Sequence, residues 1–547
     1  GTDAAKALDN IESLPLWASL FDEKSDDFDP IIVANELEFE REILPKSFSQ
    51  NSIRKFPFRT AITYNKNIDF NNNIEIIKEA NNYLLLEHLA LRKDFKDYAE
   101  IETDIKWSNY ADTLQEKKVK LFIEFLVTLI YYKTLQLGGN PYTTSITWFY
   151  PVSMDEGERE VFFRLWKDIY KNVFNVDTTL KINGIPESLA PYLFYKSEIE
   201  GLSLSIDIGG GSSDIAVFDE DDKNAKLISS FKFAGNAIFG DGYPSKEHKN
   251  NSDRNGYVKT FKDSADKALK DGNLKSILMN ILYDKKNSAD FSSFLFTLEN
   301  EKSFSFNYSR ELQKNNKLKL SFLVFYSAIA YYSANLMKKS KIDIPKYILL
   351  SGTASKTASI LDPSEELKNL SYLYEFIFKE VFGHNVKQSI ETKLSQIPKE
   401  VTCKGALKAD IEDSIKYSPV KYWIGGKEIG FWSEALDREE DFQKIPKFIE
   451  LDEIHKDDVA ESLFDFYKIL DKYVSEVNVK SAYLIDTNAY EVFKDIRTKG
   501  LKDLLVRGKN AFYKKDDSKI EESLFFYPLI GILNKLSYQL ALDKSNE

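Results

Sequence analysis

The stretch whose reading decides the fold is Leu202-Ser203-Leu204-Ser205-Ile206-Asp207-Ile208-Gly209-Gly210-Gly211-Ser212-Ser213-Asp214-Ile215-Ala216-Val217-Phe218. Leu202, Leu204 and Ile206 alternate with Ser203, Ser205 and Asp207, and Ile215 to Phe218 is apolar and partly β-branched, so both flanks are expected as strands. Glycine tolerates positive φ and lets a backbone approach a ligand closely, so Gly209-Gly210-Gly211 can turn several N–H groups toward one anion. A dinucleotide fingerprint or a Walker loop feeds straight into a helix, whereas this loop returns as a strand. No third glycine completes Gly-x-Gly-x-x-Gly, and no Gly-Lys-Ser/Thr follows. A β-hairpin is expected. Asp207, at the end of the incoming strand, is a candidate to hold a hydrated Mg²⁺, and Asp214 on the returning strand is a second. The triplet alone fits equally a tight glycine hairpin that binds nothing.

Around this hairpin lie 547 residues, enough for more than one compact unit, with 39 Phe and 30 Tyr to fill the cores. The net charge of −12 argues against a bulk surface that grips nucleic acid. Cys403 is the only cysteine, so no internal disulfide and no Cys-rich zinc site can form, as expected in a reducing compartment. The four histidines, His88, His248, His384 and His455, are scattered, and none sits in His-Glu-x-x-His. Val119–Tyr132 and Phe322–Met337 are the most apolar runs; both fall short of about 20 clean apolar residues and are expected as buried helices, so no membrane partner is foreseen. The chain begins Gly-Thr-Asp-Ala without a charged-then-apolar leader, and a fragment of a cytoplasmic protein is the expectation.

Working outward toward the N-terminus, Phe58–Tyr64 reads as a strand, and residues 75–92 and 115–136 carry helix-like apolar patterns. Leu137-Gly138-Gly139-Asn140-Pro141 stops the second helix. Ser145–Tyr150 is an aromatic strand and Asp155–Asn175 returns to helical spacing, an order that suits an α/β sheet. Beyond the hairpin, Lys226–Phe233 is a strand, and residues 243–320, rich in Lys, Asn and Ser with scattered helical pieces, suggest a lid-like insertion more than core. The Phe322–Met337 helix leads to a strand at Tyr347–Leu350 and a glycine turn, Ser351-Gly352-Thr353. That turn suits either a nucleotide contact or an ordinary α/β crossover. From about 411 the character changes. Tyr422–Ile429 reads as a hairpin, Val459, Leu463, Phe466 and Leu470 as one helix face, and Ser481–Ile485 as a strand. The basic stretch Arg497–Lys515 is interleaved with acids and reads as a solvated helix face, and an apolar helix ends the chain.

Several of these pieces together resemble the actin-like ATPase superfamily, whose members include actin, sugar kinases and the heat-shock chaperone ATPases. Asp207–Asp214 resembles its second phosphate loop. The chaperone branch is the nearest in pattern. Ile146–Val152 is similar to its strand ending in Val-Pro, and Glu187-Ser188-Leu189-Ala190 to its Glu-Pro-x-Ala segment. Ala234-Gly235 through Gly240-Asp241 is similar to its Ala-Gly-Asp…Gly-Gly segment, and Leu349–Thr353 falls where its adenosine loop stands. Pro398 through Gly405-Ala406 is similar to its Pro-to-Gly-Ala helix. The resemblance covers about residues 58–410 and implies an α/β, two-lobed actin-like (ribonuclease H-like) fold. Residues 1–200 would be the first lobe, 201–410 the second, and 411–547 an α+β accessory module.

By position, the resemblance implies that Asp207 holds Mg²⁺ through water and that the backbone of Gly209, Gly210, Gly211, Ser212 and Ser213 takes the β/γ-phosphates. Gly240, Gly352 and Thr353 would contact the nucleotide, and Glu187 would position the attacking water. Phosphoryl chemistry is mostly positioning and electrostatics, so it needs few reactive side chains. The sequence departs from the pattern at Ser188, where proline is expected, and at Ser351, where the first glycine is expected. No Asp-x-Gly-Thr/Ser hairpin precedes residue 58; it lies upstream or has diverged within residues 1–57. The implied function is a chaperone-type ATPase binding ATP or ADP with Mg²⁺, whose C-terminal module meets a protein partner. The alternatives are a small-molecule kinase of the same fold and a nucleotide-dependent scaffold or filament protein without turnover.

Overall fold

The computed structural model describes residues 61–542 apart from several segments, the longest being 73–79, 84–98, 103–112, 241–254, 409–455 and 505–522; residues 1–60 and 543–547 also lie outside the description. The expected hairpin at 422–429 and nearly all of the basic stretch beyond Thr498 are outside the described residues. The chain divides into two compact units, Gly1–Trp148 with Met154–Gly184, and Phe149–Ser153 with Ile185–Glu547.

In the first unit, β1 (Ala61–Asn65) is flanked on both sides by antiparallel neighbours, β2 (Ala80–Tyr83) and β3 (Ala99–Glu102). Part of the helix expected over 75–92 is therefore strand: Ala80 to Tyr83 pair with Tyr64 to Ala61. A short run has no decisive periodicity, and pairing with a neighbour overrides weak local preference. The helix expected at 115–136 is α1 (Thr113–Gln136), which buries Val119, Ile123 and Val127 at i, i+4 and i+8. β4 (Ile146–Tyr150) follows, then α2 (Glu156–Phe174), whose Trp166 stacks on Trp148 with ring centroids 5.5 Å apart. β4 pairs with β5 (Ile182–Pro186).

The second unit begins its regular structure with α3 (Leu189–Tyr195), β6 (Ser203–Ile208), β7 (Ser213–Phe218) and β8 (Leu227–Phe231). After α4 (Gly235–Phe239) come three helices, α5 (Gly256–Ala268), α6 (Ser288–Leu298) and α7 (Tyr308–Lys314). These belong to the polar stretch 243–320, yet they bury Tyr257, Phe261, Phe291, Leu295 and Tyr308. α8 (Lys319–Lys339) is, among the described residues, the one helix long and apolar enough to cross a membrane, and 94% of its most apolar window is buried inside the protein. β9 (Tyr347–Ser351), α9 (Thr357–Leu361), α10 (Lys368–Phe382), β10 (Glu391–Leu394) and α11 (Glu400–Leu407) follow. The mixed sheet has the order β10-β9-β6-β7-β8, with β10, β9 and β6 parallel and the hairpin strands antiparallel.

The Leu/Ser alternation in β6 does not separate inside from outside. Leu204, Ile206 and Ile208 are fully buried, and Ser203 and Ser205 are buried as well. Both faces of the sheet are covered, and the serine face is the one that small side chains let a helix approach. Ala216 and Phe218, opposite Ser205 and Ser203, pack with Leu349 against Leu189 and Tyr192 of α3 and Val401 of α11. By the two-residue period of a strand, Asp207 belongs to this same face.

Beyond 455, α12 (Lys456–Glu476) buries Leu463, Phe466 and Leu470. The strand expected at Ser481–Ile485 is instead α13 (Val479–Tyr483): Asn478 Oδ1 accepts the Ser481 N–H at 3.1 Å as an N-cap, and Leu484 ends the turn at φ 57°. A side-chain cap outweighs five residues of weak β preference. α14 (Thr487–Thr498) and α15 (Phe526–Leu542) complete the chain. Phe526 stacks on Phe231 and Phe233 at 4.9 and 4.8 Å, so the last helix lies within the same compact unit as the glycine hairpin.

Candidate functional site

Asp207, the last but one residue of β6, and Ser351, the last of β9, are register partners on parallel strands, so both glycine turns leave from the carboxyl edge of one sheet. That edge is where open α/β sheets bind ligands. The two turns expected to touch nucleotide are thus neighbours in the second unit.

In the hairpin the Gly209 N–H donates to Ser212 O at 2.9 Å and closes the turn. The Gly209 and Gly210 carbonyls accept the Gly235 and Asn236 N–H groups of α4 at 3.1 and 2.7 Å. The turn's carbonyls therefore point back into the protein. Among the described residues, no acceptor takes the N–H groups of Gly210, Gly211 or Ser212. Three successive amides left by a turn whose Gly209 and Gly210 oxygens are occupied make a concavity of the kind that suits an anion. Gly209 contributes the closure and not a donor. A methyl added at Gly210 would come no nearer than 4.0 Å to its neighbours, with Asn236 Oδ1 the first atom met.

Asp207 is half-buried and its carboxylate is held from two sides. Thr402 Oγ1 of α11 donates to Asp207 Oδ2 at 2.8 Å. On the other side a methyl added at Gly352 would lie 2.2 Å from Asp207 Oδ1 and 2.4 Å from Ile208 O. Gly352 also has φ 83°, a left-handed conformation that L side chains rarely adopt. The Gly352 N–H donates to Pro398 O at 2.9 Å, and Ser355 Oγ donates to Gly352 O at 2.7 Å. Thr353, half-buried, opens the short 3₁₀ turn that follows.

Asp214 sits directly across the hairpin from Asp207, buried, with Ser212 Oγ donating to its Oδ2 at 3.0 Å; Ser213 Oγ donates to Phe233 O at 2.7 Å. Among the described residues no group of three or more His, Cys, Asp or Glu side chains could enclose a metal. Two adjacent carboxylates beside an exposed amide cradle do suit Mg²⁺, which keeps its waters and binds through one or two carboxylates plus phosphate oxygens.

Glu187 is half-buried in the turn between β5 and α3, its N–H donating to Tyr150 O at 2.9 Å. It connects to the hairpin through α11. A methyl on Gly405 would fall 1.8 Å from Ala190 O, so α11 rests on the backbone just after Glu187, while Thr402, one turn earlier on the same helix face, reaches Asp207. Gly240 is placed differently: its N–H donates to Asn236 O and its carbonyl accepts from Asn255 Nδ2, so both backbone groups are engaged inside the protein. Beside the Gly352 turn, partial burial holds the Lys356 ammonium below the usual lysine range, with Glu299 opposing the shift; burial likewise raises the Glu299 carboxyl. Thr402 carries no sequence signal beyond lying four residues after Pro398 in the helix expected there. Its role depends on where α11 docks.

No protein-family model matches the chain, and no curated protein matches it. Solved structures similar to it include MreB5 of Spiroplasma citri bound to ADP, 16% identical, covering 65% of this chain and 91% of that one at a TM-score of 0.30. MreB 5 of Spiroplasma citri bound to AMPPNP is 14% identical, with 63% and 86% covered and a TM-score of 0.30. The ethanolamine utilization protein EutJ from Carboxydothermus hydrogenoformans is 11% identical, with 68% and 98% covered and a TM-score of 0.28.

Proposed function

We propose that this chain is an actin-like nucleotide-binding protein that takes ATP or ADP at the carboxyl edge of the β6–β9 sheet. The observation that carries the reading is the set of three unspent amides, Gly210 to Ser212, next to the half-buried carboxylate of Asp207. The amides receive phosphate oxygens. Asp207 holds a hydrated Mg²⁺, with buried Asp214 adding negative charge behind it, and the bound ion supplies charge neutralisation to the phosphates. Gly352 and Thr353 approach the adenosine. Glu187 orients water for hydrolysis of the terminal phosphate, in a chaperone-type cycle whose signal passes to a protein partner through the C-terminal helices.

Calorimetric titration of the whole chain with ADP and ATP, with and without Mg²⁺, tests the binding. Both nucleotides should bind, more tightly with Mg²⁺, and Asp207→Ala should abolish the Mg²⁺ enhancement. Absence of binding by either nucleotide overturns the reading. Phosphate release with ATP alone supports the ATPase assignment; sugar-dependent ADP formation would move it to a kinase, and nucleotide-dependent sedimentation without turnover to a filament protein.

A further inference from the structure

We propose that Thr402 is a positioning residue for Asp207: its hydroxyl fixes the carboxylate in the orientation that receives the hydrated Mg²⁺, and so sets the Mg²⁺ dependence of nucleotide binding. The proposal rests on the nucleotide reading above. A threonine inside a helix ordinarily turns its hydroxyl to the carbonyl three or four residues earlier. For Thr402 the fourth residue back is Pro398, whose carbonyl instead accepts the Gly352 N–H. The hydroxyl donates across the gap to Asp207 Oδ2 at 2.8 Å. One turn of chain, Pro398 to Thr402, thereby holds both the Gly352 turn and the Asp207 carboxylate.

The geometry leaves Asp207 little freedom. Gly352 packs so closely on Oδ1 that a single methyl there would overlap it, and Thr402 occupies Oδ2. Without the hydroxyl, one restraint on the carboxylate's last torsion, a broad rotor with no strong preferred angle, is removed. The ordering of that rotor would then be lost from the binding of the hydrated ion. Asp207 also faces Asp214 across the hairpin, so an orientation that spreads its charge toward the solvent-facing mouth separates the two carboxylates.

The test compares Thr402→Val, which keeps the shape and removes the hydroxyl, with Thr402→Ser, which keeps the hydroxyl, in the full chain. ADP affinity is measured by calorimetry at zero and saturating Mg²⁺, beside thermal melting of each variant. Thr402→Val should reduce the Mg²⁺ enhancement about tenfold, the scale of one hydrogen bond to a charged group. It should leave Mg²⁺-free affinity near the natural value, and Thr402→Ser should retain most of the enhancement. If Thr402→Val keeps the full enhancement while Asp207→Ala loses it, the positioning role is overturned and the nucleotide reading stands. Equal loss of Mg²⁺-free and Mg²⁺-bound affinity also overturns it, as that marks a merely structural contact. Should Thr402→Val fail to fold, Thr402→Ala takes its place: loss of the enhancement in Thr402→Ala with retention in Thr402→Ser supports the role, whereas loss of the enhancement in folded Thr402→Ser, which keeps the hydroxyl, overturns it. If the natural chain shows no Mg²⁺-dependent binding, the nucleotide reading itself fails.

Discussion

Two glycine turns leave adjacent strand ends of one sheet, and each uses glycine for a different physical reason. At Gly209–Gly211 the amides of Gly210 and Gly211 have no acceptor among the described residues and a methyl on Gly210 has room, so what the turn contributes is N–H groups. At Gly352 the amide is already committed to Pro398 O, φ is positive, and no side-chain carbon fits against Asp207 and Ile208. One turn presents donors; the other is a close-packed wall that steadies the acid beside them. A glycine in a motif therefore does not by itself imply a contact with ligand.

The largest effect that would sharpen this contrast is expected from Gly352→Ala. The left-handed conformation costs an L residue roughly 1–2 kcal/mol, and relief of the overlap with Asp207 and Ile208 adds about 1–3 kcal/mol. Denaturant unfolding should show a loss of about 2–5 kcal/mol together with weakened nucleotide binding. Melting like that of the natural chain would mean the wall is not tight. Second in size is Asp207→Ala, which should lower Mg²⁺-dependent nucleotide affinity tenfold or more, about 1.4 kcal/mol. Asp219→Ala, in the turn after β7, should not; equal calorimetric affinities for the two variants break the assignment of the metal to Asp207. Comparable in size is Ser212→Ala, which removes the donor to buried Asp214 and should cost about 1–3 kcal/mol of stability without preventing folding. The smallest stability change is expected from Gly210→Ala, within about 0.5 kcal/mol. Its methyl enters the open side of the cradle, so phosphate affinity should fall while melting stays put. A large melting shift with unchanged affinity would reverse the roles given to the two turns.

Local pattern was enough for the hairpin, for α1, α2, α8, α12 and α15, and for the strand before Gly352, because each carries many residues in one period or a distinct breaker. It failed where the element was short. Residues 80–83 sit in a helix-like run yet pair with β1, and 481–483 sit in a β-like run yet follow an Asn478 cap. The polar composition of 243–320 concealed how far its helices are buried, since Lys, Asn and Ser dominate the count while a few Phe and Tyr do the packing. Near the hairpin, the position of Asp207 at the end of one strand and of the glycine triplet in the turn was readable. That Gly209 spends its amide on the turn and that Gly240 has both backbone groups engaged was not.

The amino-acid sequence by itself determined the turn chemistry: three glycines between two strand-forming runs can only be a tight reversal, and an aspartate just before them stands at its mouth. The tertiary structure decided which atoms remain available. Docking α4 on the hairpin consumed the Gly209 and Gly210 carbonyls, and docking α11 set Pro398 against Gly352 and Thr402 against Asp207. Hydrogen-bond capacity is a property of residues, but whether a donor or acceptor is already satisfied depends on groups far along the chain, as Thr402 stands 195 positions from Asp207.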